Sequence, residues 1–359
     1  MARAGGLYQV CVSGPARSGK SFLLNCLTSP SSARRSSRPL PRRFVVSGSV
    51  QPCTRGLWMW VSPEPIQLPD GTKMRLLYVD TEGVGAVKAT DQQDLTILAL
   101  ALLISSTFMF NSMGAIDERS ISKLAFVTQL SSHLHITQGG ADTSKDFETY
   151  FPHFVWILRD FSLQLKEGAD GKAISAKEYL EGALRPERGT LDEDVARRNR
   201  IRMLLTTFFA RRECHTLPRP VTDESALAAL GGESADNLIR EGFHAQLDTL
   251  VQVSHALHEI ACSIWSFAAY RHGDSCPPCQ SVESTLRPKL LHGRPLNGSL
   301  LGSLLVEYVA AINGGRVPTV AMGWSAVQKM IVQVARHPFA SARDINHRTR
   351  TLHTPYDVR

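Results

Sequence analysis

The residues best placed to do chemistry lie near the N-terminus of the chain, between Gly14 and Ser21. They fit a pattern of Gly, four residues of any kind, Gly-Lys, and then Ser or Thr. Glycines in this pattern let backbone N–H groups close around phosphate oxygens, and the N-terminus of the following helix adds partial positive charge. Lys20 would reach the β- and γ-phosphates of a nucleotide, and the Ser21 hydroxyl would bind magnesium. The pattern therefore predicts a phosphate-binding loop.

The segments on both sides of this loop support the interpretation. An apolar, β-prone segment, Tyr8–Val12, precedes the loop, and a helix-compatible run, Phe22–Leu27, follows it and ends before Pro30. Strand, glycine loop and helix in this order distinguish a phosphate cradle from a chance glycine turn with a surface lysine.

A second apolar run delivers an acidic residue where a nucleotide site needs one. Asp70-Gly71 is a hairpin turn signal, and the following run, Met74–Asp80, is predicted as a strand that ends in the aspartate. Beside a phosphate loop, an aspartate at the carboxyl end of a strand binds the metal through water. Gly83 would let the next loop approach the γ-phosphate, because glycine carries no side chain.

Strands and helices alternate along the rest of the chain. Further strands are predicted at 57–61 and 154–158, a buried helix passing into a central strand at 95–109, and helices at 200–210, 227–268 (interrupted by Gly231-Gly232) and 300–312. This order, with the phosphate loop on the first strand, predicts an α/β fold. Its central sheet would be mostly parallel and flanked by helices, with ligands at the carboxyl ends of the strands.

Length and composition allow one large domain with an appendage. The chain has 359 residues, of which 43% are hydrophobic and 20% charged, so it can form a packed core. We expect one large domain over residues 1–317, with a basic low-complexity insertion at about 29–43. Residues 318–359 would form a short helical or irregular C-terminal segment.

The basic insertion carries much of the net charge of +7. Its arginines are Arg34, Arg35, Arg38, Arg42 and Arg43, within a Ser/Pro-rich stretch. Such a segment could attract phosphates, anionic lipid or nucleic acid, and a solvated disordered insertion is an equally good interpretation. Weak contact with an anionic membrane through Arg34–Arg43 is one possibility, whereas no nucleic-acid partner is expected.

The cysteines and the apolar runs indicate a reducing compartment. The seven cysteines are scattered and odd in number, which does not suggest a disulfide framework. Cys276 and Cys279 form a C-x-x-C pair without a second pair at zinc-finger spacing, so an ordinary loop is favoured over a redox or zinc site. No signal peptide precedes the phosphate loop, and the run 95–109 is too short for a membrane span. We therefore expect a cytoplasmic protein.

Several longer stretches carry a family resemblance. The stretches 54–60, 100–108 and 151–163, together with the phosphate loop and Asp80–Gly83, resemble the GTPase domain of the guanylate-binding proteins, which are large dynamin-related GTPases. Atlastins are similar but more distant. The resemblance covers most of residues 8 to about 335. It implies a P-loop NTPase domain of the Ras-like or dynamin-like type, and it makes residues 318–359 the truncated start of a helical middle domain.

The resemblance also implies roles for individual residues. Arg17 matches an arginine finger supplied in cis, Thr54 the switch threonine that closes over magnesium and holds the attacking water, and Glu82 a member of the water network. The implied catalytic residues are Arg17, Lys20, Thr54 and Glu82, and the implied metal ligands are Ser21, Thr54 and Asp80. The implied nucleotide-binding residues are Gly14, Arg17, Ser18, Gly19, Lys20, Ser21, Phe22, Asp80, Gly83, Arg159, Asp160 and Arg219.

The guanine base would be recognised far along the chain. Arg159-Asp160 resembles the pair that this family uses in place of Asn-Lys-x-Asp. Its aspartate accepts hydrogen bonds from the purine N1–H and the 2-amino group, so a buried carboxylate there would discriminate strongly against adenine. Arg219 falls near the guanine cap of the family.

The function that follows from the resemblance is magnesium-dependent GTP hydrolysis, activated when two GTPase domains pair as a homodimer. One departure from the family pattern is Pro52, which stands where a proton-relaying serine is usual and has neither hydroxyl nor N–H. It motivates an alternative, a GTP-dependent assembly module that hydrolyses slowly or not at all. An ATP-hydrolysing P-loop protein is a third interpretation.

Overall fold

The computed structural model describes residues 6–29, 42–47, 54–63, 65–67, 73–85, 91–124, 151–167, 171–187, 192–230, 239–253, 288–291 and 294–314. Residues 30–41 of the basic insertion, Pro52, the Asp70-Gly71 turn, the Cys276/Cys279 pair and residues 318–359 lie outside this part.

Within the described part, eleven strands are present. They are β1 (Gly6–Ser13), β2 (Leu57–Val61), β3 (Ile66–Gln67), β4 (Lys73–Thr81), β5 (Thr107–Met113), β6 (His153–Arg159), β7 (Lys166–Glu167), β8 (Lys172–Ala173), β9 (Arg212–Leu217), β10 (Leu290–Leu291) and β11 (Arg294–Pro295). The described helices are α1 (Lys20–Leu27), α2 (Asp91–Ile104), α3 (Glu118–Ser122), α4 (Ala176–Ala183), α5 (Glu193–Phe208), α6 (Glu224–Ala229), α7 (Glu241–Val253) and α8 (Gly298–Asn313).

A seven-stranded sheet forms the centre of the fold, in the order β2-β4-β1-β5-β6-β9, with β3 also pairing with β4. The pairs β4–β1, β1–β5, β5–β6 and β6–β9 are parallel, whereas β2 and β3 run antiparallel to β4. Four short strands pair outside the sheet, β7 with β8 and β10 with β11. The fold class predicted from the sequence, an α/β fold with a mostly parallel central sheet, is confirmed.

Helices cover both faces of this sheet. Side chains of α2, α4, α5 and α8 contribute to one buried core, and those of α1, α6 and α7 contribute to the other. Every residue of β1 is buried, as expected for a central strand with helices on both faces. The continuous apolar runs that predicted the central strands reflect this double burial.

The element predictions differ from the structure in several places, and helices α3 and α4 were not predicted at all. The helix predicted at 200–210 begins earlier, at Glu193, because the Asp192 carboxylate accepts a hydrogen bond from the Asp194 N–H and caps its N-terminus. Strand β9 was not predicted, because polar residues occupy most of its positions; among the described strands it pairs only with β6. Of the predicted helical region 227–268, the described part contains the end of α6 and the whole of α7.

No helix in the described part of the chain is both long and apolar enough to cross a bilayer.

Candidate nucleotide-binding site

The topology places the phosphate loop at the point where the strand order reverses. The chain adds β4 on one side of β1 and then crosses to add β5 on the other side. The loops after these strands diverge at their carboxyl ends and leave a crevice, which is where open α/β sheets bind ligands. The loop between β1 and α1 lies at this crevice.

The loop is held on one side by the segment that follows β4. The Ala16 N–H donates to the Val84 carbonyl at 2.9 Å, and the Val84 N–H donates to the Gly14 carbonyl at 3.1 Å. A Cβ atom on Gly83 would lie 2.2 Å from the Cα of Ala16. The close approach of these two loops therefore requires glycine at position 83.

On its other side, the loop is held by Asn111 from the central strand β5. The Asn111 side-chain amide donates to the Ser18 carbonyl at 2.8 Å and to the Ser18 Oγ at 3.0 Å. A Cβ atom on Gly14, whose φ is +143°, would lie 2.1 Å from the Asn111 carbonyl oxygen. Both glycines thus serve the packing of the loop onto the sheet.

The loop ends at the start of α1 with its lysine turned inward. Gly19 adopts a left-handed conformation, with φ +79°. The Lys20 ammonium is buried and donates to the Pro15 carbonyl at 3.0 Å. The N-cap residue Gly19 has no side chain to cap α1, and no described residue does so, which leaves the first N–H groups open to the crevice as in anion-binding helices.

Three oxygen-bearing side chains meet below the loop. The Ser21 hydroxyl donates to Asp80 Oδ2 at 2.5 Å, the Thr54 hydroxyl donates to the same oxygen at 3.2 Å, and the two hydroxyls lie 3.3 Å apart. Asp80 is buried, and its Oδ1 has no hydrogen-bond partner within the described part of the chain. Burial raises the pKa of Asp80, while the hydrogen bond from Ser21 and the charge of Lys20 act in the opposite direction.

This donor set fits magnesium. Mg²⁺ prefers hard oxygen ligands and is typically held by one or two protein groups together with substrate phosphates. A buried carboxylate oxygen without a partner is also a group that a cation would satisfy. In the described part of the chain, no three His, Cys, Asp or Glu side chains form a metal site, so a metal here would depend on hydroxyl and phosphate oxygens.

Glu82 ties the Thr54 segment to the end of β4. Its Oε2 accepts a hydrogen bond from the Gly56 N–H at 2.8 Å, and its own N–H donates to the Gly56 carbonyl at 2.7 Å. These two contacts hold the threonine segment against the strand that carries Asp80.

Arg17 lies at the exposed apex of the loop. Its backbone φ is +63°, a left-handed conformation that is uncommon for a residue with a side chain. Backbone outliers of this kind persist where the surrounding contacts enforce them. Here hydrogen bonds to Val84 and Asn111 fix the neighbouring residues Ala16 and Ser18, so the change in chain direction occurs at Arg17.

The predicted base-reading pair lies at the end of β6. Asp160 is half-buried rather than buried as expected, because it follows the last residue of the strand with φ +53° and turns toward the crevice. Arg159, in contrast, is only 4% exposed. Its guanidinium donates to the Gly19 carbonyl at 3.4 Å and lies over the rings of Phe22 and Phe243.

Arg219 lies in the loop after β9 and forms an ion pair with Glu224 at 2.8 Å. The next residue, Pro220, and Glu224 itself border the crevice. Arg219 itself is therefore close to residues that border the crevice but does not line it.

One cavity of about 380 Å³ joins the phosphate loop to Asp160. Its volume falls within the range that small-molecule sites occupy. Predicted residues that line it are Arg17, Ser18, Gly19, Lys20, Ser21, Phe22, Thr54, Gly83, Arg159 and Asp160. The remaining predicted residues, Gly14, Asp80, Glu82 and Arg219, lie behind or beside the lining. Apolar residues complete its far end, among them Met113, Pro220, Leu227 and Leu230.

The N-terminal domain model of the guanylate-binding proteins matches residues 2–260 of the chain. The chain belongs to the guanylate-binding protein family. Guanylate-binding protein 1 of Chlorocebus aethiops is 34% identical over 316 residues, covering 86% of this chain and 45% of that protein. Guanylate-binding protein 4 of Homo sapiens is 31% identical over 348 residues, covering 96% of this chain and 47% of that protein. The chain thus spans about half the length of the curated relatives it matches, and the family resemblance expected from the sequence is confirmed.

Among solved structures, Toc33 from Arabidopsis thaliana, in a dimerization-deficient mutant form, is 14% identical and has a TM-score of 0.30. It covers 68% of this chain and 85% of the Toc33 chain. A likeness with so low a TM-score carries no argument about the fold or the family.

Two residues that contact the predicted site residues, Asn111 and Phe243, are among those that were not predicted. Asn111 is a polar residue in a mostly apolar strand. Its position could have indicated that its amide hydrogen-bonds to the phosphate loop. Phe243 belongs to the apolar face of α7, and nothing in its local sequence distinguishes it from the other core residues of that helix.

Proposed function

We propose that this chain binds GTP together with magnesium and hydrolyses it to GDP and phosphate. The observation that carries the proposal is that Lys20 and Asp160 line the same cavity. A phosphate-binding group at one end and a carboxylate at the other match the two ends of a guanine nucleotide. Membership of the guanylate-binding protein family supports the same conclusion.

Each end of the cavity has a defined task in this proposal. The Lys20 ammonium, which lies against the Pro15 carbonyl, turns to the β- and γ-phosphate oxygens, and the N–H groups at the start of α1 bind the phosphates. The Asp160 carboxylate accepts hydrogen bonds from the N1–H and 2-amino groups of guanine. Adenine lacks this pair of donors, so GTP is preferred over ATP.

Ser21, Thr54 and Asp80 are the residues that would hold magnesium, which when bound neutralises charge on the β- and γ-phosphates. Thr54 and Glu82 orient the attacking water, and the contacts between Glu82 and Gly56 keep that segment in place. Arg17 extends toward the γ-phosphate and stabilises the transition-state charge, an effect worth about 10³–10⁵ in rate in other GTPases.

Several wider features belong to the same proposal. The exposed position of Arg17 favours activation by pairing of two GTPase domains as a homodimer, since a second domain covering the cavity would order this side chain.

The GTPase domain would occupy residues 1–317, and residues 318–359 would begin a helical middle domain. Weak contact of Arg34–Arg43 with an anionic membrane, and a cytoplasmic location, remain predictions from the sequence.

A GTP-dependent assembly module with little turnover is the second candidate, and the proline at position 52 favours it. In that case nucleotide would bind and promote dimers while turnover stayed negligible.

Phosphate release from GTP and from ATP, measured across a range of protein concentrations with light scattering to report dimers, tests both candidates. The GTPase proposal expects release from GTP alone, rising per molecule with protein concentration, and its loss in Lys20→Ala. Gly182→Ala is a suitable control, because in the described part of the chain only its own helix lies within 4 Å of a Cβ at that position. Binding and dimerisation without release would instead support the assembly module, and equal release from ATP would contradict both.

A further inference from the structure

The base end of the cavity contains a buried charge with an unusual set of contacts. The Arg159 guanidinium carbon lies 5.6 Å from the centre of the Phe243 ring and 5.9 Å from that of Phe22. Within the described part of the chain, the guanidinium forms one hydrogen bond, the long one to the Gly19 carbonyl, and its Nε has no partner. Two aromatic faces therefore contribute to the immediate environment of a cation that has few hydrogen bonds.

Burying a guanidinium is costly unless its surroundings compensate for the lost water. Burial lowers the pKa of Arg159, and the charge of the adjacent Asp160 opposes that shift. Aromatic faces attract a cation most strongly when both are removed from water, and the planar guanidinium can stack where a lysine ammonium cannot. The rings thus explain why an arginine can remain charged and fixed at this position.

The position of Arg159 determines the position of Asp160, because the two residues are adjacent and little freedom separates them. The Arg159 carbonyl accepts a hydrogen bond from the Gly114 N–H at 2.7 Å, and the Phe161 N–H donates to the Leu217 carbonyl at 3.2 Å. Asp160 lies between these two anchors with φ +53°. With its neighbours held on both sides, the carboxylate has a defined direction into the cavity.

Of the two rings, Phe243 comes from an element that is remote from the phosphate loop. It lies in the first turn of α7 and is fully buried. The start of the same helix is tied to the cavity wall, since the Arg240 N–H donates to the Pro220 carbonyl at 2.8 Å. Helix α7 therefore contacts both the base-reading arginine and the loop that borders the base.

We propose that Phe243 is a specificity-determining positioning residue, whose ring holds Arg159 and thereby aims Asp160 at the guanine edge. Guanine selectivity then depends on the placement of α7 more strongly than phosphate binding does, because Arg159 reaches the phosphate loop through one long hydrogen bond to the Gly19 carbonyl. Any event that displaces α7 would weaken base recognition first. This inference rests on the proposed function, because it assumes that Asp160 reads guanine.

The test compares affinities for GTP and ATP, each measured with magnesium by competition against a fluorescent nucleotide. Phe243→Leu keeps an apolar side chain but removes the ring, and we expect it to reduce the GTP-to-ATP affinity ratio about tenfold, with affinity for ATP unchanged. Phe243→Tyr keeps the ring and should retain the ratio within about twofold. Arg159→Lys leaves the α7 core intact and should reproduce the loss. Combined with Phe243→Leu it should add little, because both changes remove the same contact.

Leu247→Ala is the matched control, since Leu247 is fully buried one turn further along α7 in the same core. It should destabilise the fold at least as much while leaving the affinity ratio unchanged. The proposal is overturned if Phe243→Leu weakens GTP and ATP alike, or if Arg159→Lys retains the full ratio. A wild-type chain without preference for GTP would instead refute the proposed function itself.

Discussion

The two ends of the cavity are built by different forces. At the phosphate end, short directional hydrogen bonds join segments near residues 14–21, 54–56 and 80–84, and glycines permit close backbone contact. At the base end, a buried guanidinium lies over two adjoining aromatic rings, and aliphatic side chains from α6 and its surroundings complete the wall. Phosphate binding is therefore expected to depend on exact backbone geometry, and base recognition on the packing of distant helices.

The sharpest way to break the base end alone is Asp160→Asn. The substitution exchanges an acceptor for a donor where guanine offers two N–H groups, so the selectivity for GTP over ATP should fall by roughly 1,000-fold. Affinity for xanthosine triphosphate should rise, because its 2-oxo group accepts a hydrogen bond from the new amide. Competition titrations of the three nucleotides check this, and an equal loss for all three would show that Asp160 does not read the base.

A smaller loss should follow from Gly83→Ala, which breaks the phosphate end. The new Cβ would meet the backbone of Ala16 at 2.2 Å, so one of the two loops must shift. We expect GTP turnover to fall about 100-fold, because small displacements of reacting groups have effects of this size. The preference for GTP over ATP in binding should persist. Wild-type turnover in Gly83→Ala would mean that the approach of the two loops does not matter for catalysis.

The smallest effect on nucleotide binding is expected from a third region, near the amino ends of the central strands β1 and β5. Lys289 is buried there, with its N–H donating to the Ser106 hydroxyl at 3.0 Å. Burial lowers the pKa of its ammonium to about 7. Above the ordinary pKa of lysine, Lys289 is neutral in both the folded and the unfolded chain and does not reduce stability. As the pH falls from there toward 7, the unfolded chain takes up the proton first, so the folded state loses stability.

Lys289→Met removes the cost of burying a charged ammonium. It should raise the melting temperature by roughly several degrees at pH 6 and by less at pH 9. Affinity for GTP should not change at either pH. Thermal melts and titrations at the two pH values provide the measurement. A larger gain at pH 9 than at pH 6 would contradict the assigned direction of the pKa shift.

The same contrast explains what the sequence could predict. The phosphate loop, Asp80 and Gly83 were recognisable because their determinants are contiguous and sit at strand ends. Arg159 and Asp160 were identified through the family resemblance, since an Arg-Asp pair has no signal of its own. The role of Phe243 depends on where α7 packs, and the hydrophobic pattern of that helix does not contain this information. Strand β9 was missed for a similar reason, because sheet pairing rather than apolar content defines it.

The central claim is that one guanine nucleotide occupies the cavity from Lys20 to Asp160. Calorimetric titration of the chain with a non-hydrolysable GTP analogue and magnesium tests it most directly, on the wild type and on Lys20→Ala and Asp160→Asn. The account predicts a single site per chain, heat from the guanine but not the adenine analogue, and strong weakening by either substitution. Wild-type affinity in both variants, or equal heat from the adenine analogue, would contradict it.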